Sequence, residues 1–285
     1  MMEDAPCMVP QDLEFPSGVH WPEIPQLSSG LVIGAGACFA GRDGVRLREA
    51  FRAGSNSAPN STHGVASLLG RDESLRRLAK VEGFVGSGLV RAGFTLAISP
   101  GFSTWWRRSP FESAVAAAHT ASVAASLARQ IPTIPTVVWR SHADLEPWAD
   151  WISSTGSTHI SMDLGWARSD ADWRWCIEGV RTLAEHFCRS APHLVANGPS
   201  TAARLSDLRS AWPGDLTFAS QSPWSVGQHG RLLLDDLTDV ADGRRFDQLI
   251  ETNAATFHRV ADAIARSPRR HEVADTRERL ARAAS

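Results

Sequence analysis

Residues 94–103 read FTLAISPGFS, and residues 133–139, one predicted helix later, read TIPTVVW. Both segments are short, apolar and bounded by proline or glycine, which is typical of strands. Between them, residues 110–130 are rich in alanine and begin with proline, which favours a helix. A strand, a helix and a second strand in this order predict a right-handed βαβ unit with parallel strands.

The same alternation continues on both sides of this unit. Further strands are predicted at residues 31–33, 65–69, 158–164, 193–196 and 216–219, and further helices at residues 73–80, 142–154, 170–189, 199–211 and 244–266. About seven strands alternating with helices predict an α/β fold with a parallel sheet. A parallel β/α barrel or barrel-like arrangement is the first choice, and an open doubly wound sheet is the alternative.

The domain organisation follows from composition. Residues 30–267 are predicted to form a single β/α domain, because the length of 285 residues lies within the range of one barrel. Residues 1–29 are rich in proline and polar side chains, which predicts an extended N-terminal arm. Residues 268–285 are predicted to be a charged, helical C-terminal tail.

Charge and composition narrow the class of protein. The formal net charge of −2 gives no argument for broad electrostatic binding to nucleic acid or to a membrane. Lys80 is the only lysine and alanine is abundant, which indicates a GC-rich genome and hence a bacterial or phage source. The N-terminus carries Glu3 and Asp4 without an apolar stretch, and no apolar run reaches the length of a membrane span. We therefore expect a cytoplasmic protein.

No cofactor or metal is predicted. The four cysteines form no C-x-x-C pair and have no histidine at a zinc-ligand spacing; they are Cys7, Cys38, Cys176 and Cys188. Residues 34–41, GAGACFAG, follow a strand and resemble a dinucleotide-binding loop, but the third glycine comes two positions late. An oxidoreductase that binds NAD(P) or a flavin is therefore the weakest of three functional hypotheses.

Candidate site residues come from the topology, since ligands bind at the carboxyl ends of parallel strands in barrels and open sheets alike. The candidate catalytic residues at predicted strand ends are Asp163, Arg140 and Asn197. The candidate substrate-binding residues are Asp72, Ser99, Trp139, Trp166, Ser200, Gln221 and Trp224. This mixture of an acid, an arginine, amides, hydroxyls and indoles suits a polar ligand with a flat part, such as a sugar or a nucleobase.

Asp163 is the strongest candidate for acid, base or nucleophile, because a partly buried carboxylate at a strand end can have a tuned pKa. The alternative is a structural ion pair with Arg140 or Arg168. Arg140 would orient an anionic group through its planar guanidinium, or form a salt bridge at the rim. Asn197 would donate its amide to a ligand, or serve turn formation in Asn-Gly-Pro. The tryptophans would stack on a ring, or pack between strands and helices.

Residues 105–108 combine two indoles with two guanidinium groups: Trp105, Trp106, Arg107 and Arg108. Stacking and positive charge together suit nucleic acid or a protein partner. A loop packed over the strand ends is an equal alternative.

The two segments quoted first resemble an uncharacterised domain-of-unknown-function family found in bacteria, phages and mobile elements. Its pattern reads I-S-P-D-F-S, a helix, then I-P-T-V-R-W, and the resemblance covers residues 64–225. The chain departs from this pattern at Gly101, where the family has an acid. It departs again at Val138, where the family has a basic residue, with Arg140 following the Trp instead. If the family acid is catalytic, the resemblance implies that this chain has lost it or uses Asp163.

A more distant likeness is to barrel transglycosylases that exchange a guanine base in nucleic acid. The layout is similar, but Gly101 again replaces the expected acid and the zinc cysteines are missing. Two main functions follow. The first is an enzyme acting on a sugar, nucleoside or base through Asp163. The alternative is a non-catalytic binding or interaction protein of a phage or mobile element that uses residues 105–108.

Overall fold

The computed structural model describes residues 15–22, 24, 32–34, 39–40, 46–47, 64–68, 82–91, 94–102, 109–187 and 190–267. The chain divides into two compact units, residues 1–163 (unit 1) and residues 164–285 (unit 2). Both units contain parallel strands connected through helices. A single domain over residues 30–267 stays a prediction.

The described part of unit 1 contains seven strands and three helices. The strands are β1 (Val32–Gly34), β2 (Phe39–Ala40), β3 (Arg46–Leu47), β4 (Gly64–Ser67), β5 (Phe94–Ile98), β6 (Thr133–Ile134) and β7 (His159–Asp163). The helices are α1 (Glu82–Arg91), α2 (Pro110–Ala128) and α3 (Leu145–Thr155), and a 3-10 turn at His142–Asp144 leads into α3.

The main sheet of unit 1 is parallel and runs in the order β1-β4-β5-β6. Ile33 lies beside Ala66, Ala66 beside Ala97, and Ile98 beside Ile134. The strands β2 and β3 form a separate antiparallel pair. The predicted α/β class with parallel strands is therefore confirmed. Among the strands that the structure describes, no pairing closes a ring, so the barrel stays a prediction.

The core of unit 1 lies between the sheet and helices α1 and α2. Strand β5 buries Phe94, Leu96, Ala97 and Ile98, as expected for a central strand covered on both faces. The core cluster continues through β4 and both helices; its members are Ala66, Leu68, Val85, Leu89, Phe94, Ala97, Phe102, Val123, Leu127 and Ile131. Burying these apolar side chains stabilises the unit by removing them from water.

Helix α2 begins and ends close to the predicted bounds of 110–130. Ser109 caps it: its hydroxyl accepts from the Glu112 N–H at 3.2 Å, and the Glu112 carboxylate accepts from the Ser109 N–H at 3.1 Å. Pro110 occupies the first helical position, where a missing N–H costs no hydrogen bond. These terminal signals are local, which is why the sequence predicts this helix accurately.

The strand predicted at residues 133–139 is shorter than expected. Only Thr133–Ile134 pairs with β5 as a regular strand, and an isolated parallel bridge between Thr136 and Ser161 joins the next residues to β7 on the other side. Proline has no N–H, so Pro135 cannot continue a ladder as a donor. Its carbonyl instead accepts from the Ser161 N–H at 2.8 Å.

Helix α1 was not predicted. Its sequence, EGFVGSGLVR, contains three glycines, which lower helix propensity by roughly 1 kcal/mol each relative to alanine. Tertiary packing explains one of them, because a Cβ on Gly86 would lie 2.6 Å from the Gln130 Cβ. The helix predicted at residues 73–80 lies outside the described residues.

Unit 2 contains four described strands and four described helices. They are α4 (Asp170–Phe187), β8 (His193–Asn197), α5 (Ala202–Ala211), β9 (Leu216–Ala219), α6 (Ser222–Gln228), β10 (Arg231–Leu233), β11 (Asp239–Ala241) and α7 (Phe246–Ala265). Strands β8 and β9 are parallel, and β10 and β11 form an antiparallel hairpin.

Helix α5 begins three residues later than predicted. Thr201 is its N-cap, with an extended backbone and a hydroxyl that accepts from the Arg204 N–H at 3.3 Å. Pro199 therefore belongs to the preceding loop rather than to the first turn. The Thr201 hydroxyl accepts a hydrogen bond from a free N–H group of the first helical turn, whereas a proline side chain has no acceptor to offer.

Helix α6 and the β10–β11 hairpin were not predicted. They depend on Asn253 of α7, which is fully buried and accepts from the Leu233 N–H at 2.7 Å. Its amide donates to the carbonyls of Pro223 at 3.3 Å and Arg231 at 3.0 Å. One side chain thus joins α6, β10 and α7 through long-range hydrogen bonds that no local pattern reveals.

Within the residues that the structure describes, no helix is long and apolar enough to span a membrane. Cys176 lies inside α4 with no exposed surface, and such a buried cysteine side chain packs as a small apolar group. Cys7, Cys38 and Cys188 lie outside the described residues.

Candidate functional site

Four of the predicted site residues lie at or just beyond the carboxyl ends of neighbouring strands in unit 1: Ser99 after β5, Trp139 and Arg140 after β6, and Asp163 at the end of β7. The parallel bridge pairs Thr136 with Ser161, and the Ser161 carbonyl accepts from the Val137 N–H at 2.8 Å. Asp163 lies two residues beyond Ser161, just as Val138 lies two residues beyond Thr136. The register therefore brings the end of β7 beside the segment that carries Trp139 and Arg140.

Asp163 is the last residue of β7 and is half-buried. The three residues before it, Ile160, Ser161 and Met162, are fully buried. The carboxylate thus stands where the core of the strand ends. A carboxylate in this position is partly shielded from water, which strengthens its interactions with neighbouring charges and dipoles.

The backbone that carries Arg140 is held by a carboxylate. The Asp144 Oδ2 atom accepts from the N–H groups of Arg140 and Ser141, each at 2.8 Å. The Ser141 hydroxyl also lies 3.0 Å from Asp144 Oδ1. The half-buried Arg140 side chain therefore projects from a fixed backbone, and the neighbouring Trp139 is buried.

Ser99 is fully buried and joins two neighbouring strand ends. Its hydroxyl accepts from the Thr136 N–H at 2.9 Å, and its carbonyl accepts from the Thr136 hydroxyl at 2.6 Å. These bonds give Ser99 a framework role at the edge of the sheet. Its predicted contact with a substrate stays a prediction.

The carboxyl edge of β8 and β9 in unit 2 brings together other predicted residues. The Asn197 carbonyl accepts from the Leu164 N–H at 2.8 Å, and the Gly198 N–H donates to the Ala219 carbonyl at 2.8 Å. A Cβ on Gly198 would lie 2.3 Å from the Cα and N atoms of Gly165. The segments that follow β7, β8 and β9 therefore touch one another through their backbones.

The side chains at this second edge differ in exposure. Asn197 is buried, and its amide makes a long 3.4 Å contact with the Val195 carbonyl. Trp166 is half-buried, with its ring centroid 5.8 Å from that of Trp175. Ser200 is half-buried and immediately precedes the N-cap of α5.

Gln221 and Trp224 lie at the beginning of α6. Gln221 is exposed and occupies the N-cap position without a side-chain capping bond. Trp224 is 52% exposed and packs edge to face against Phe246 at 5.2 Å, which is itself 44% exposed. This open aromatic pair leaves one indole available for stacking.

Several predicted residues lie outside the described part of the chain. They are Asp72, Trp105, Trp106, Arg107 and Arg108. Of the glycine-rich loop at residues 34–41, only Gly34, Phe39 and Ala40 are described, in strands β1 and β2. The predicted roles of these residues stay predictions.

Two residues that matter for unit 1's edge were not predicted. Asp144 follows Ser141 by three residues, a spacing typical of a helix N-terminus, so this signal was present in the sequence. Trp148 donates its indole N–H to the Val138 carbonyl at 2.8 Å, a contact without a sequence signature. Within the described ranges, no group of three or more His, Cys, Asp or Glu side chains could hold a metal ion.

The predicted site residues that the structure describes thus fall into two groups, one near the strand ends of unit 1 and one near those of unit 2. Unit 1 holds the acid and the arginine, whereas unit 2 holds the amides. No protein-family model matches this chain, and a search of curated proteins finds no match.

Proposed function

We propose that the protein is a β/α enzyme that acts on a polar small molecule, namely a sugar, a nucleoside or a nucleic-acid base. Asp163 would serve as its acid, base or nucleophile. The observation that carries this proposal is the register of unit 1, which brings Asp163 beside the segment with Trp139 and Arg140. Carboxyl ends of parallel strands are where β/α proteins bind their ligands.

The chemistry of these side chains suits cleavage or exchange at a glycosidic bond. A half-buried carboxylate can protonate a leaving group or attack an electrophilic carbon, depending on its protonation state. The Arg140 guanidinium would stabilise an anionic group through a planar pair of N–H donors. The acid, base or nucleophile must be a carboxyl group, which Asp163 supplies, and the partner of an anionic group must be a cation, which Arg140 supplies.

The barrel predicted from the sequence is part of this proposal. In unit 1 the neighbour order β1-β4-β5-β6 follows the chain, and the bridge from Thr136 continues it to β7. An order without reversal supports a barrel, whereas a doubly wound sheet reverses direction at the ligand-binding crevice. Transglycosylase-like base exchange is a narrower form of this hypothesis, whereas contact with nucleic acid or a protein partner through residues 105–108 belongs to the alternative of a non-catalytic interaction protein.

The test uses ribonucleosides, their free bases and methyl glycosides as probes. Binding is measured by calorimetry, and cleavage or base exchange by chromatography. We expect at least one compound to be turned over, and Asp163→Asn to lower turnover on the order of 100-fold or more, as loss of an acid–base group does.

The matched control is Asp150→Asn, because Asp150 is an exposed carboxylate on α3 of the same unit. Its turnover should equal that of the unmodified protein. Failure of every compound to bind, or equal turnover in Asp163→Asn and Asp150→Asn, would refute the proposal.

A further inference from the structure

An aromatic cluster joins the N-terminal part of unit 1 to α3. Phe15 lies 4.9 Å from Trp148 and 5.6 Å from Trp151 between ring centroids, and Trp21 lies 5.5 Å from Trp151. The two helix tryptophans are 5.5 Å apart and nearly perpendicular. Edge-to-face pairs at these distances add to the stabilisation from burial alone. We call residues 15–22 and 24 the strap.

A hydrogen bond and an apolar anchor complete the strap. The Trp151 indole N–H donates to the Pro16 carbonyl at 2.7 Å. Ile24, at the other end of the strap, is buried with 8% of its surface exposed. The strap is therefore fixed by specific contacts along its length, although its backbone forms neither helix nor strand.

Trp148 contacts both the strap and the candidate site. Its side chain is completely buried, its ring packs edge to face with Phe15, and its indole N–H donates to the Val138 carbonyl at 2.8 Å. Val138 directly precedes Trp139 and Arg140. An indole N–H buried without an acceptor would be costly, so the strand end and the indole hold each other in place.

We infer that Trp148 is a positioning residue for the candidate site and that the strap holds Trp148 in place. The inference rests on the proposed function, because it assigns a role relative to Arg140 and Asp163. The path runs from Phe15 to Trp148, from its N–H to Val138, and then to the backbone that Asp144 fixes. Release of the strap should loosen that backbone and displace the guanidinium.

The test measures hydrogen exchange at the amides of Arg140 and Ser141, which needs no ligand. Trp148→Phe keeps an aromatic ring and removes the N–H donor, whereas Phe15→Ala removes the strap contact only. The matched control is Trp212→Phe, since Trp212 is also fully buried and donates its N–H to the Pro192 carbonyl at 3.0 Å in unit 2.

We expect exchange at these two amides to accelerate on the order of tenfold in Trp148→Phe and measurably in Phe15→Ala, because local opening becomes easier. Trp212→Phe should leave it unchanged. Unchanged exchange in Trp148→Phe, or an equal increase in Trp212→Phe, contradicts the positioning role. Unchanged exchange in Phe15→Ala contradicts the role of the strap.

A ligand from the nucleoside and glycoside panel adds a second readout. Trp148→Phe should weaken its affinity on the order of tenfold, because a small displacement of a positioned group is costly, while Trp212→Phe should not. Equal affinities in the two variants contradict the inference. If no compound binds, the proposed function fails, and the exchange rates still decide whether the strap controls the Arg140 backbone.

Discussion

The loop after β5 and the loop after β8 occupy the same place in a strand–loop–helix unit, yet different interactions fix them. After β5, side-chain hydroxyls hold the chain: Ser99 and Thr136 exchange two hydrogen bonds, and the Thr120 hydroxyl accepts from the Phe102 N–H at 3.2 Å. Phe102 is buried in the core cluster. Residues 99–102, the described beginning of this loop, are therefore held by side chains that reach across to neighbouring elements.

After β8, the backbone itself makes the contact. Gly198 has a φ of +100°, and its Cα faces the backbone of Gly165 with no room for a Cβ. The Gly198 N–H donates to the Ala219 carbonyl of the next strand. This loop is fixed by close backbone approach, which only glycine permits.

Because different interactions hold these two loops, equivalent positions in them should tolerate substitution to different degrees. A hydroxyl bond can be removed at the cost of one interaction, and the remaining packing still holds the loop. Where two backbone segments touch with no free space, an added side-chain atom forces the segments themselves apart. We therefore expect the second loop to be the more sensitive of the two.

The largest effect is expected for Gly198→Ala. Its Cβ would meet the Gly165 backbone at 2.3 Å and its φ is +100°, so we expect the free energy of unfolding to fall by about 3–4 kcal/mol. The control is Gly230→Ala, whose φ is +66° with nothing within 4 Å of the added Cβ. It should cost only about 1–2 kcal/mol. Equal losses in urea denaturation would show that the backbone contact is unimportant.

A smaller effect is expected at the β5 loop. Ser99→Ala removes the acceptor of the buried Thr136 N–H, so the free energy of unfolding should fall by about 1–3 kcal/mol. Thr136→Val removes the second bond, and the double variant should lose less than the sum of both, because the residues share one network. Thr182→Val is the control, since that hydroxyl bonds to its own helix at an exposed site. Additive losses would contradict the coupling of these two hydrogen bonds.

The smallest effect is expected at the opposite, amino ends of β8 and β9. Burial lowers the pKa of His193 below its ordinary value of 6.5, while the Asp215 carboxylate partly opposes this. Its Nε2 atom lies 2.8 Å from the Thr217 hydroxyl. The His193 imidazole binds a proton more readily in the unfolded chain than in the folded protein. The contribution of neutral His193 to the free energy of unfolding is therefore complete above pH 6.5. It falls as the pH drops through the lower pKa of the folded state.

The check is the free energy of unfolding measured between about pH 7.5 and pH 5. His193→Gln should remove this component of the pH dependence and leave the remainder. Parallel curves for the variant and the unmodified protein would show that His193 does not contribute.

Much of the fold was predictable from local signals. The bounds of β5, α2, β7 and β9 follow from apolar runs, capping residues and prolines that act within a few residues. Helix α1 is not predicted because its glycines lower the helix propensity of the segment. The β10–β11 hairpin is not predicted because it is supported by the buried Asn253, twenty residues away from Leu233. Long-range contacts decide where local propensity is weak.

The candidate site was predictable in part. The topology rule selected Asp163 and Arg140 because it needs only strand order and strand ends. It did not predict that Ser99 forms hydrogen bonds with Thr136, or that the Trp148 indole N–H donates to the Val138 carbonyl. Such partners lie ten to forty residues apart in the chain, and no spacing encodes them.

The alternation of strands and helices, the parallel pairing of strands and the polar residues at strand ends can all be predicted from the amino-acid sequence. These features follow from periodicity, capping and the handedness of βαβ units, all of which act locally. Three features appear only in the folded chain: Gly198 leaves no room for a Cβ, the Pro135 carbonyl bonds to β7, and Trp148 links the strap to Val138. Each of these features depends on a contact with a residue that is distant in the sequence. Such contacts are fixed by strand register and core packing, which exist only in the folded chain.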